Sequence, residues 1–243
     1  MHDFTSPSHV IAIAVTVVSI AILVPLARVR PGRWVTVVSW LLALFLVANE
    51  VEYQIYQVGN GSWGAGYSLP LYLCDIGAFV AAVALIWPKL ILVEVTWFWA
   101  IAGAVQGILT PDHAIVFPSY DWLEFYGDHI GVVLAAVFLV VGRREHPQPR
   151  AVLRVVVVSV VVLTVVGIVD AVTGGNYDYL RSPSPGSIQS LLGPWPWYIL
   201  GTTVVGLVLF TVLDLPFWPE RRRAKRDAAS RGRLANLGSQ QPV

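Results

Sequence analysis

The chain has 243 residues, 56% of them hydrophobic and only 13% charged, with a net charge of +1 and a mean hydropathy of +0.67. A soluble domain carries about 25% charged residues, so the composition excludes an ordinary water-soluble globule and points to an integral membrane protein. The single cysteine excludes an internal disulfide and a cysteine-cluster metal site.

The opening MHDFTSPSH has neither a basic n-region nor a small-residue cleavage site, so the first apolar run reads as a retained helix. A membrane span needs about 20 predominantly apolar residues. Seven stretches qualify: 9–27, 34–54, 69–87, 90–110, 122–142, 151–172 and 196–216. The expected fold class is all-α, a seven-helix transmembrane domain over residues 1–216. A basic tail without regular structure is expected over 217–243. The fifth stretch is the weakest candidate, because its purely apolar run IGVVLAAVFLVV is short, and it spans only if EFYGDH belongs to the same helix.

Lys and Arg in the short loops set orientation. Arg28, Arg30 and Arg33 fall in the first loop, Lys89 in the third, Arg143, Arg144, Arg150 and Arg154 around the fifth, and the rest in the tail. Only Arg181 falls on the other side. The N-terminus is therefore expected outside and the C-terminus in the cytoplasm, in a multi-pass protein of the plasma membrane. Trp63, Trp122, Trp195 and Trp197 fall at expected outer ends, and Trp34, Trp87 and Trp218 at inner ends, as interfacial belts do. The run RRRAKR after the last span suits anionic lipid headgroups, at about 1 kcal/mol per basic residue. No basic folded domain accompanies it, so a nucleic-acid partner is not expected.

With this topology, polar groups gather in the outer third of the bundle. Glu50, Gln54 and Gln57 lie on one face near the end of the second span, and Cys74 and Asp75 lie near the start of the third. Gln106, Thr110, Asp112 and His113 end the fourth, Glu124, Asp128 and His129 begin the fifth, and Asp170 ends the sixth. A carboxyl near mid-membrane costs about 2.5–3.5 kcal/mol and faces the bundle interior or a wet cavity. A polar pocket open to the outer side is the arrangement expected, with Glu50, Gln54, Tyr72, Asp75, Gln106, Asp128, Asp170, Asn176 and Tyr177 as binding candidates. Glu94 and Asp214 lie low in the inner half.

Each candidate has a plainer reading. A lone buried cysteine is usually an apolar filler; as a nucleophile, Cys74 needs a base, and the neighbouring Asp75 works against a thiolate and projects about 100° away on a helix. His129 is either interfacial or a general base. Asp121 with Glu124 reads as a helix cap, whereas Asp128 lies beyond capping range. No P-loop or HExxH motif is present, and Lys89 and Lys225, the only lysines, cannot form a Schiff base inside a late helix. No cofactor or metal is called for.

Five stretches together, LPLYLCDIGAF (69–79), GAVQGILTPD (103–112), DHIGVVLAAVFLV (128–140), GGNYDYL (174–180) and GPWPWYIL (193–200), resemble the YwaF-like family of bacterial integral membrane proteins. That family is similar to a eukaryotic group of multi-spanning phospholipid acyltransferases that make polyunsaturated ether lipids. The resemblance implies acyl transfer, with Cys74 as the acyl-accepting thiol and His129 as its base. Tyr72 stands where the pattern often has a histidine. The substrate would be a membrane phospholipid or another amphipathic small molecule. The residues themselves keep a second reading open, a non-enzymatic small-molecule or proton-linked transporter or sensor working through Glu50, Asp75, Asp128 and Asp170.

Overall fold

A computed structural model of the protein describes residues 6–111, 116–184 and 187–223, apart from the side chain of Ile188. Residues 1–5, the candidates Asp112 and His113, and the tail beyond residue 223 lie outside the described residues. Every regular element among the described residues is a helix.

Helix α1 (Pro7–Val29) starts at Ser6, whose side chain accepts the His9 amide, with proline in the first turn where its missing N–H costs nothing. Helix α2 (Arg33–Gly59) continues to Gly59, past the expected end at residue 54. Helix α3 (Leu73–Ile86) has only 14 residues. The expected start at residue 69 fails because Pro70 disfavours helix at Leu69, and Tyr72 is still extended (φ −63°, ψ 147°). Helix α4 (Leu90–Leu109) contains a π-helical turn at Ala100–Ala104. Helix α5 (Tyr120–Gly142) ends in another at Phe138–Gly142. Its cap is Ser119, whose side chain accepts the Trp122 amide; the Asp121–Glu124 pair is not the cap. Helix α6 (Ala151–Thr173) stops at Gly174, which adopts the left-handed conformation (φ +77°) suited to a helix end. Helix α7 (Trp197–Arg223) closes the described chain and runs past the expected end at 216, so residues 217–223 are helical where a tail without regular structure was expected, held by Asp214 bonding Trp218 and Arg221.

Six helices among the described residues, all except α3, are long and apolar enough to cross a membrane. At ~1.5 Å per residue α3 spans ~21 Å, short of a ~30 Å hydrocarbon core. It lies at the centre of the bundle instead. Its small residues Gly77, Ala78, Ala81, Ala82 and Ala84 are buried, and α2, α4 and α5 pack around it. Small side chains let helix backbones approach closely where lipid supplies no hydrophobic drive. The same core takes Val132, Val133, Ala135, Ala136 and Leu139 from α5, with Ala12 from α1 and Ala43 and Leu46 from α2. The apolar window of α5 is 72% buried in the protein, against 17% for α1, 11% for α6 and 17% for α7. Helix α5 is therefore the hub, and the other three offer apolar faces such as Val17, Val161 and Val204 to their surroundings.

Charged side chains close both ends of α3, Asp178 and Arg143 from other segments and Asp75 from its own first turn. Asp178 Oδ1 accepts the Leu73 amide (2.8 Å), Asp75 Oδ2 accepts the Tyr72 amide (3.2 Å), and Arg143 Nη1 donates to the Leu85 carbonyl (2.7 Å). Negative charge at the N-terminus and positive charge at the C-terminus match the helix dipole and satisfy groups that would otherwise be orphaned.

The arginine-rich end is fastened by ion pairs. Glu94, fully buried on α4, receives Nε and Nη2 of Arg154 (2.7 and 2.5 Å) and the Gln148 amide (2.9 Å). Asp214 takes two bonds from Arg221 (both 2.8 Å) and the Trp218 indole N–H. Trp122, expected in an interfacial belt, is instead buried, with its indole donating to the Ser8 carbonyl (3.1 Å). Trp63, Trp87, Trp195, Trp197 and Trp218 are exposed.

Candidate functional site

Helices α3 and α5 run parallel. Tyr120, opening α5, stacks on Tyr56 near the end of α2 and donates to Glu52 (3.0 Å), at the end from which residues 60–72 lead into α3. At the opposite end Arg143 reaches Leu85. Between them a Cβ on Gly77 would touch Val132 at 4.0 Å. The same offset carried one turn back sets Cys74 level with His129. Helix α2 runs the other way. Gly127 and Gly131 of α5 admit Asn49 and Leu46, and the Asn49 amide donates to the Glu124 carbonyl (3.2 Å), so Glu50 arrives at this level too.

The result is a buried acidic cluster. Glu50 and Asp128 are each 3% exposed. Asp128 Oδ2 lies 3.5 Å from His129 Nδ1. Among the described residues no donor reaches its buried Oδ1, and the Glu50 carboxyl lies nearby. The charges acting on Cys74 are all carboxyls, Asp128 first, then Asp75, Asp178 and Glu50. Glu124 adds a further acid facing Glu50. No cluster of three His, Cys, Asp or Glu among the described residues has the geometry to hold a metal ion.

His129 sits beside this cluster with a fixed orientation. Its Nδ1 lies 2.8 Å from the Phe125 carbonyl, which can only accept, so Nδ1 carries the proton and Nε2 the lone pair. The ring stacks on Phe125 at 4.2 Å between centroids. Its Nε2 edge rests on Gly107 of α4, where a Cβ would come within 2.4 Å of Cδ2 and 2.5 Å of Nε2. Among the described residues no hydrogen bond joins Cys74 to His129.

The other candidates divide by partner. Gln54 bonds the Ser68 carbonyl (2.7 Å) and the Trp63 indole (3.0 Å), tying α2 to the 60–72 loop. Gln57 bonds the Tyr53 hydroxyl (2.7 Å). Gln106 is exposed on α4. Asp170 is fully buried and accepts the Tyr177 amide (2.9 Å). The Tyr177 hydroxyl accepts from the Leu69 amide (2.8 Å) and donates to the Ala65 carbonyl (3.0 Å). Asn176 Oδ1 accepts the amides of Arg181 (2.9 Å) and Ser182 (3.0 Å). Tyr72 meets Tyr177 edge-on (5.2 Å), and burial pushes its hydroxyl up to about 12. Asp170, Asn176 and Tyr177 thus hold the GGNYDYL segment against the 60–72 loop, while Glu50, Cys74, Asp75 and Asp128 converge with His129 alongside.

Asp178 has a role that the sequence reading missed. It holds a left-handed conformation (φ +52°), followed by Tyr179 (φ +57°), at a cost of about 1–3 kcal/mol each. That conformation lets Oδ1 cap α3, while Oδ2 is buried without a partner among the described residues. Burial pushes its carboxyl from 3.8 up to about 7, against the Leu73 amide and with help from the Asp170 charge. The only sequence signal was an aspartate inside a quoted motif.

No curated protein and no solved structure matches the chain. Residues 4–214 match the TMEM164 family, and the chain belongs to that family.

Proposed function

We propose that this member of the TMEM164 family is a plasma-membrane phospholipid acyltransferase. Its seven helices all cross the bilayer, α3 with the help of its neighbours, and its N-terminus lies outside. Cys74 is the acyl-accepting thiol, and the Asp128–His129 pair is its proton acceptor. The reading rests on the parallel register of α3 and α5, which brings Cys74 level with that pair. Sγ attacks the ester carbonyl of a phospholipid, forming a C–S bond, and its proton passes to the pair. The C–O bond then breaks, and the lysolipid oxygen leaves with that proton. In the second half, a lysolipid hydroxyl attacks the thioester, gives its proton to the pair, and the thiol is restored. Anionic headgroups at the basic tail orient the membrane side.

The intramembrane carboxyls Glu50, Asp75, Asp128 and Asp170 favour a second reading, a non-enzymatic small-molecule or proton-linked transporter or sensor. The core at Leu85, Phe138 and Leu139, with the Glu94–Arg154 pair beyond, offers no matching relay toward the arginine-rich end. Intact-protein mass spectrometry with and without neutral hydroxylamine separates the two. A hydroxylamine-labile fatty-acyl adduct, lost in Cys74→Ala and kept in Asp75→Asn, supports acyl transfer, and exchange of the adduct onto added lysolipid shows turnover. An absent adduct, with a thiol inert to alkylation, overturns it in favour of the carboxyls.

A further inference from the structure

The end of the protein opposite the acidic cluster holds a cavity that neither reading uses. It measures about 300 Å³ and lies where the end of α1 meets the end of α5. Ala27, Pro31 and Val35 form an apolar wall, and Arg28, Arg143 and Arg144 supply the polar one. Its floor is tight, since a Cβ on Gly142 would come within 3.3 Å of the Ala27 side chain.

The three arginines are not equivalent. Arg143 is committed, with Nη1 donating to the Leu85 carbonyl and to Ser39 Oγ (3.2 Å), and Nη2 lies 3.8 Å from Glu145. Arg28 makes only a long bond to the Val141 carbonyl (3.4 Å). Arg144 has no hydrogen-bond or ion-pair partner among the described residues, and it turns back in a left-handed conformation (φ +62°). Two guanidinium groups with spare donors beside an apolar wall match a phosphate carried on an apolar body, because guanidinium binds phosphate oxygens in pairs. Beyond the rim, Leu26, Val29 and Val37 are exposed, a surface for acyl chains rather than water.

We propose that this cavity binds the phosphate headgroup of an anionic phospholipid, with Arg28 and Arg144 as the ligating side chains. Basic pockets between membrane helices take such headgroups. Among the described residues, those lining the cavity run no further than Arg144, and binding there is independent of any chemistry at Cys74.

The test uses the full chain in phosphatidylcholine nanodiscs containing phosphatidylglycerol. Retained lipid is read by native mass spectrometry, and thermal unfolding is followed on addition of dioctanoyl phosphatidylglycerol or inorganic phosphate. The wild type retains one phosphatidylglycerol that Arg28→Gln/Arg144→Gln loses, with affinity for the soluble lipid falling at least about tenfold. Arg222→Gln/Arg223→Gln, beside the tail, retains it. Equal retention by the wild type and Arg28→Gln/Arg144→Gln overturns the site. An unfolding shift with inorganic phosphate as large as that with lipid overturns the lipid assignment. Should the glutamine variant unfold in phosphatidylcholine alone, Arg28→Lys/Arg144→Lys decides: it keeps the charge but loses the paired donors, so several-fold weaker binding is expected and unchanged binding refutes the proposal.

Discussion

Replacing Gly107 by alanine tests whether the orientation of His129 matters. Glycine inside a helix is about 1 kcal/mol worse than alanine, so Gly107→Ala should stabilise α4 if nothing stood beside it. His129 does stand there. The new Cβ would sit 2.4 Å from Cδ2 and 2.5 Å from Nε2, whereas carbon atoms pack at about 3.5–4.0 Å, so the ring must retreat by about 1 Å. It is held from behind by the 2.8 Å contact to Phe125 and by stacking on that ring. Overpacking costs about 1–3 kcal/mol, and the strained hydrogen bond adds about 1 kcal/mol. Net of the helix gain, Gly107→Ala should lose about 1–3 kcal/mol of stability and the acyl adduct on Cys74. Gly103→Ala, one turn earlier with nothing within 4 Å of the added Cβ, should lose neither. In Gly107→Ala/His129→Ala the packing loss should be smaller than the sum of the two single changes, because the clash is gone. Thermal unfolding in detergent and the hydroxylamine assay read both effects. A stabilised Gly107→Ala with its adduct intact would refute the reasoning.

Asp178 gives a pH dependence of defined sign. Its folded carboxyl is raised to about 7 from 3.8, so folding favours the protonated form. The resulting stability is complete below the ordinary carboxylate value and is lost as pH rises through about 7. Asp178→Asn keeps an acceptor for the Leu73 amide and tolerates the left-handed backbone, so it should flatten the change in unfolding temperature between pH 5 and pH 8; an unchanged slope would count against the assignment. At the other end, Arg154→Met strands the fully buried Glu94 and should cost about 3–5 kcal/mol. Glu94→Gln should cost about 1–2 kcal/mol, since the Arg154 side chain is 33% exposed and reaches water. Denaturation midpoints that reverse this order would contradict the burial seen at the pair.

The helices were legible in the sequence because each is an apolar run bounded by proline, glycine or arginine, although α2 and α7 run on past their expected ends to Gly59 and Arg223. Helix α3 is the exception that explains itself. Hydropathy ran through Leu69–Tyr72 without registering that Pro70 and an extended Tyr72 end the helix early. The shared depth of Glu50, Cys74, Asp128 and His129 was also legible, since depth follows from counting residues along spans. Direction around each helix was not. Nothing in the spacing says that Gln106 is exposed while Gly107 beside it supports the His129 ring, or that Asp170 and Tyr177 hold loops together. Those facts arise between helices. The capping of α3 by Asp178 and Arg143 depends on side chains far away in sequence.

The burial of α5 bears on how the chain is made. This helix carries Asp121, Glu124 and Asp128, and each acid entering lipid alone would cost about 2.5–3.5 kcal/mol near the midplane. Yet its apolar window is 72% surrounded by protein, including α2 and α3, which precede it in the chain. We expect the earlier helices to be assembled laterally when α5 leaves the ribosome and to act as its solvent. A fragment holding α5 alone should fail glycosylation-mapped insertion, and supplying residues 1–111 in the same membrane should restore it. Order of arrival, as much as hydropathy, makes this segment a membrane helix.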